Sequence, residues 1–316
     1  MNFDIASELS GLYDLSRTVP ALTIFFVSAS GILLLCFAIG LVLMTKRKVG
    51  LRLFPVLYGF TAYLLFYVLL GGFLTSIASL MLGEEISTAN LVIARLISLL
   101  LSTAALVGGR FFAMWFIRKY YSDYCDAYGI GAGISLTEAL LTGITIFLNY
   151  CLCMTINNVG LTELANSYES VEETSQQLAS IWIFFDNPSY TYLLSGIESI
   201  MFLIFNTMIS VLFYAVYHGD MKRIHILTIT ALQALIYFPG NFYSSGLLFS
   251  RVGCFVTETV IFAGCILFFL RIHNTFYRDV IPPVTVSRKS KGGKGSPAGS
   301  SGQKKMPDFN KNINKI

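Results

Sequence analysis

The chain has 316 residues and a formal net charge of +4, with 55% hydrophobic and only 13% charged residues; its mean hydropathy is +0.67. So few charges cannot coat a soluble globule, which excludes the ordinary soluble enzyme and indicates a polytopic membrane protein. The positive excess lies in short loops and the C-terminal tail, so it informs topology and argues against a nucleic-acid partner.

Residues 1–18 contain Asp4, Glu8 and Asp14 and lack a basic segment followed by a small-residue cleavage site. The first apolar run is therefore expected to stay in the mature protein. A bilayer core of about 30 Å needs about 20 apolar residues per helix. Runs of that length lie near 19–44, 53–82, 91–117, 128–154, 191–217, 225–248 and 252–272. They predict an all-α transmembrane bundle of about seven spans. Gly71 and Gly72 make the second the one expected to tilt, kink or end early.

Lysines and arginines fix the expected orientation. Lys46, Arg47, Lys48 and Arg52 follow the first run, Arg118 and Lys119 the third, and Lys222 and Arg223 the fifth. The alternate connections are poor in positive charge; the segment 157–190 carries Glu163, Glu169, Glu172, Glu173 and Asp186 with no lysine or arginine. This pattern predicts an extracytoplasmic N-terminus (1–18), a bundle over 19–278 with an outer loop at 157–190, and a cytoplasmic C-terminus in the cell membrane. Within that loop, Trp182, Phe184 and Phe185 are expected either to anchor an interfacial amphipathic helix or to form part of a lid. Residues 279–316, rich in Gly, Ser and Lys, predict a disordered basic tail whose cations can meet anionic lipid headgroups.

The six cysteines fall mostly within apolar runs and are expected to pack rather than bind metal or form redox pairs. The buried charges are more informative. Arg110, Glu138, Glu198 and Glu258 lie inside predicted spans, where an ionisable group normally faces a bundle interior or a water-filled cavity. Arg110 is the natural counter-ion of Glu138 or Glu198. A structural ion pair, neutral glutamates hydrogen-bonded to neighbouring helices, and a substrate or ion site all fit these charges. Glu258, among threonines, is expected to be either paired or hydrogen-bonded to backbone.

Several motifs extend this reading. Gly109-Arg110-Phe111, Arg118-Lys119, Asp126-Ala127 and Glu138-Ala139-Leu140-Leu141 occur in order, followed by Ile197-Glu198, Asn206, Ser210-Val211-Leu212, Leu232-Gln233-Ala234-Leu235 and Phe238-Pro239. Together they resemble the core of the YhfC family of glutamic-type intramembrane (metallo)proteases, distant relatives of the CAAX prenyl proteases. The resemblance implies paired glutamates ahead of the Gly-Arg step, where this chain has Leu106 and Val107. It implies histidines near Ala132 and at Asn206 and Gln233, and an aspartate at Tyr237. The chain's own histidines, His218, His225 and His273, fall in or beside the basic loops.

Asparagine and glutamine donate hydrogen bonds but cannot act as bases near neutral pH. No metal ligand set with usable spacing is legible within the spans, and no cofactor is expected. The expected cavity or ion-pair set is Arg110, Glu138, Glu198, Asn206, Gln233 and Tyr237. The leading reading is a non-catalytic relative that binds a transmembrane or lipidated partner among membrane lipids. The alternatives are an active peptidase whose base is Glu138 or Glu198, and a small-molecule permease. The permease reading is weakened by the absence of an internal repeat.

Overall fold

The computed structural model describes residues 11–82, 88–119, 123–168, 170–243 and 250–278, which are all helix and short connection. The expected tail, 279–316, lies outside the described residues, as does most of 1–18.

Helix α1 spans Ala21–Val49, closes with Lys46, Arg47 and Lys48 in its last turn, and ends at Gly50 in the left-handed region (φ 75°). Cations there complement the partial negative charge of a helix C-terminus, and glycine takes the positive φ without a Cβ clash. Helix α2 (Leu53–Ala62) continues through a π-helical segment, Tyr63–Gly71, into α3 (Gly72–Leu82). The predicted irregularity at the glycines therefore appears as π winding within one continuous helical path. α4 spans Thr88–Ile117 and α5 spans Tyr124–Val159. A capping box between Asp123 and Asp126 starts α5 by satisfying backbone donors reciprocally. Short α6 (Leu161–Asn166) and α7 (Val171–Asp186) precede α8 (Tyr190–His218), α9 (His225–Tyr243) and α10 (Arg251–Phe276).

Long helical paths thus stand at all seven predicted runs, and six of them are long and apolar enough to cross a membrane. The exception is α9, whose 19 described residues include Gln233, Tyr237, Pro239 and Asn241. Its polar groups lower the average of a helix that faces other helices.

α8 is the centre of the bundle. In its most apolar stretch 72% of residues are buried, against 17–28% in the other spans. An unbroken buried run from Phe205 to Val216 meets neighbours on every side. The glycine-rich start of α5 explains how α2 and α8 come close to it. A Cβ on Gly133 would run into the Val56 carbonyl of α2, and one on Gly131 would stand 2.8 Å from the Thr207 Cα of α8. Small residues permit such backbone approach, which matters in lipid because dispersion and hydrogen bonding, more than hydrophobic exclusion, hold helices together there.

One end of the bundle gathers the basic connections. Arg52 bridges Asp123 at 2.7 Å and Asp126 at 3.3 Å, the Tyr124 hydroxyl meets His273 Nδ1 at 2.7 Å, and Tyr277 donates to Asp220. At the other end Asn157 holds both backbone groups of Val19, accepting from its nitrogen at 2.7 Å and donating to its oxygen at 2.9 Å.

The outer segment forms a short amphipathic helix, as expected, and its buried face packs on the chain itself. α7 buries Thr174, Leu178, Ile181 and Phe184 against Val19, Cys153, Ile156, Leu161 and Ala165. Its aromatics are covered by the chain itself: Tyr13 lies edge-on to Trp182 at 5.0 Å, and Arg17 stacks over Trp182 and Phe185. The buried face of the helix is covered by protein, and the group it packs on shares no residue with the cluster around Arg110.

Candidate functional site

Arg110 is fully buried on α4. Its neighbour Gly109 allows the π segment to pack closely, since a Cβ there would stand 3.0 Å from Phe66 Cβ and 3.2 Å from the Ala62 carbonyl oxygen. The arginine points the other way, into the angle between α8 and α9. Its Nε donates to Ser210 Oγ at 3.1 Å, Nη1 to Gln233 Oε1 at 2.8 Å, and Nη2 to Asn206 Oδ1 at 2.5 Å.

The helices supply these acceptors at four-residue spacing, which sets two side chains on one face. Asn206 and Ser210 come from α8, Gln233 and Tyr237 from α9. Asn206 Nδ2 in turn donates to Glu138 Oε2 of α5, and the Tyr237 hydroxyl donates to Glu138 Oε1 at 3.2 Å. Tyr237 is held by stacking on Phe202, with ring centroids 4.9 Å apart and planes 8° from parallel. Ser210 Oγ in turn donates to the Asn206 backbone oxygen at 2.9 Å.

Arg110 and Glu138 are thus joined through the Asn206 amide, with no direct ion pair between them. Charge-assisted bonds at both ends of the relay are stronger than neutral ones, so Asn206 carries the electrostatic link. Of the polar atoms in this set, Gln233 Nε2 is buried without a hydrogen-bond partner.

Five of the six expected residues therefore meet: Arg110, Glu138, Asn206, Gln233 and Tyr237. Glu198 does not join them. Both its oxygens accept from Arg251, at 2.8 and 2.7 Å, near the end of the bundle opposite the basic loops. Glu198 is not the partner of Arg110, because Arg251 begins α10 and reaches inward to pair with it. Glu258, expected to be paired or bonded to backbone, instead accepts from the Cys254 thiol at 3.4 Å. Cys254, Glu258 and Glu198 bring their ligand atoms within 4.8 Å of one another. That group is missing from the sequence reading, although the four-residue spacing of Cys254 and Glu258 was visible in it. The reading also missed Tyr63 and Tyr67 of the π segment, which lie within electrostatic reach of Glu138.

The donor set at Arg110 does not fit a metal ion. It offers one carboxylate, and the two amide oxygens that could assist it are both turned to the guanidinium. Leu106, buried at 2% exposure, and Val107 put aliphatic groups one turn from Arg110 where the resemblance implies carboxylates. The three histidines sit at the ends of α8, α9 and α10 on the basic side, with His218 near Asp220 and His273 against Tyr124.

No curated protein and no solved structure matches the chain. A family model does, that of the YhfC intramembrane metalloproteases, over residues 32–261. The matched stretch holds all five residues of the cluster as well as Glu198 and Glu258, and the chain belongs to the YhfC intramembrane metalloprotease family.

Proposed function

We propose that this protein is a non-catalytic member of its family that receives a transmembrane or lipidated segment of a partner at the Arg110 cluster. The observation that carries this reading is the mutual saturation of the cluster. Arg110 is engaged by Ser210, Gln233 and Asn206, and both oxygens of Glu138 are engaged by Asn206 and Tyr237. Peptide hydrolysis needs a carboxylate or metal to activate water and a donor aimed at the developing charge. Neither Leu106 nor Val107 supplies the base. Gln233 Nε2, buried and unpartnered, remains able to donate to a peptide carbonyl. A partner helix unwound at that depth would offer such a carbonyl, because lipid leaves no other donor for it. The loop charges support a cell-membrane location with the basic end facing the cytoplasm.

Purified protein mixed with a fluorogenic transmembrane peptide is expected to retain the peptide without cleaving it. Gln233→Leu should weaken retention. The four-fold variant Leu106→Glu, Val107→Glu, Asn206→His, Gln233→His, if folded, should gain cleavage. A second reading rests on Glu138, which is half-buried and is the cluster's one carboxylate: cleavage by the wild type that Glu138→Gln abolishes would make it the base of a working peptidase. Orientation has its own test. A cysteine at Glu172, exposed on α7, should react with an impermeant reagent on intact cells, and labelling of the tail instead would reverse the topology.

A further inference from the structure

We propose that Glu198, Cys254 and Glu258 form a binding site for a thiophilic divalent cation of the zinc class, separate from the Arg110 cluster. α8 supplies Glu198, two turns from its start, and α10 supplies Cys254 and Glu258 from one face. The ligand atoms of the three all lie within 4.8 Å of one another, with Cys254 Sγ and Glu258 Oε1 at 3.4 Å. Zinc bonds of about 2.3 Å to sulfur and about 2.1 Å to oxygen give a tetrahedral edge of about 3.6 Å, so the thiol and carboxylate already stand near ligating separation.

The charges point the same way. Glu198 is matched by Arg251, but Glu258, 1% exposed, has an oxygen, Oε2, that meets no N–H or O–H donor among the described residues, and its carboxyl stands within hydrogen-bonding reach of the Glu198 carboxyl. A buried carboxylate without a partner is costly. A divalent cation with Cys254 as thiolate closes the balance: three anionic ligands against the cation and one guanidinium sum to zero. Arg251 does not block the site, since a carboxylate has about four lone-pair positions and the arginine occupies two of those on Glu198. Its Nη1 also stands 4.0 Å from Cys254 Sγ, so it contacts two ligands of the set and orients them as hydrogen-bond partners of metal ligands commonly do. Ser195 Oγ accepts from Arg251 at 2.8 Å, and the Tyr243 ring lies 5.5 Å from the guanidinium. On α9, Gly240 lets the backbone close over the site, because a Cβ there would stand 3.2 Å from Glu258 Oε1. The competing occupant is a proton shared between the facing carboxyls.

Cobalt(II) distinguishes the two occupants and reports on the thiolate directly. Full-length protein in mild detergent, stripped with a chelator, should take up one equivalent of Co²⁺ with a thiolate-to-cobalt charge-transfer band that Zn²⁺ abolishes. Cys254→Ser should remove the band. Glu258→Gln and Glu198→Gln should each weaken uptake at least tenfold, while Cys153→Ser, in another part of the bundle, should leave it unchanged. The wild-type measurement decides the matter even where a variant fails to fold. Wild-type protein that takes up no cobalt, or takes it up without the band, overturns the proposal in favour of the shared proton, and a band that survives Cys254→Ser overturns it as well.

Discussion

The two buried arginine clusters use the same ingredients and reach opposite arrangements. Arg110, with no solvent exposure, meets three neutral acceptors and reaches its carboxylate only through the Asn206 amide. Arg251, whose side chain is 11% exposed, grips Glu198 directly with two nitrogens and has a second acid, Glu258, close by. In the first cluster the charges are spread over a relay that is complete except for one amide nitrogen. In the second, a strong pair is made and one carboxylate is left over. A closed relay suits holding a neutral group, whereas a leftover buried carboxyl suits a bound cation or a shared proton. The position of acid relative to guanidinium, more than the count of charged residues, separates the two.

The comparison can be broken by removing each arginine in turn. Arg110→Met should have the largest effect, about 3–5 kcal/mol in denaturant unfolding, because it strands Asn206, Gln233 and Glu138 in the interior. The double variant Arg110→Met, Glu138→Gln should lose less than the sum of the single losses, since the two ends of a relay are coupled. Strict additivity would show that Asn206 carries no link. Arg251→Met should cost less, about 1–3 kcal/mol, because its pair is nearer water and weaker for it. Added Zn²⁺ should return part of that loss if the surplus acid binds a cation, and thermal melts with and without zinc would show it.

Smaller changes sharpen the same contrast. Tyr237→Phe removes one donor to Glu138 and leaves the stacked ring on Phe202; a loss of about 1 kcal/mol is expected. Arg52→Gln at the basic end should cost about 1 kcal/mol, and the share due to Asp123 should shrink as salt rises, because the Arg52 and Asp123 side chains are 46% and 48% exposed whereas Asp126 is buried. A salt-independent loss at Arg52 would mean that its bond to the buried Asp126 outweighs the exposed pair with Asp123.

Much of the fold was legible because the signal for a membrane helix is local. A run of about 20 apolar residues must pair its backbone internally wherever it sits, so the long helices fall where the runs do. The residues of the Arg110 cluster could also be named, since polar groups stand out against an apolar run. The role of Glu198 could not. Its partner, Arg251, lies 53 positions away, and at helix ends the sequence does not say whether a cation turns outward to water or inward to an acid. α7 is legible only in part for a related reason: an amphipathic stretch states that it has an apolar face, but not which part of that face the chain itself will cover.

The sequence by itself determined the class of the molecule, the places of its helices and the family motifs, because hydropathy and short-range spacing act within single segments. The tertiary structure alone decided which polar groups meet. That depends on how far each helix is rotated about its axis and shifted along it, and these are set by contacts such as Gly133 against Val56 and Gly131 against Thr207. A rotation of α8 by one residue, about 100°, would turn Asn206 and Ser210 away from Arg110, leaving it only Gln233, and would break the link to Glu138. The relay and the surplus acid are therefore consequences of packing at distant glycines, and no single segment encodes them.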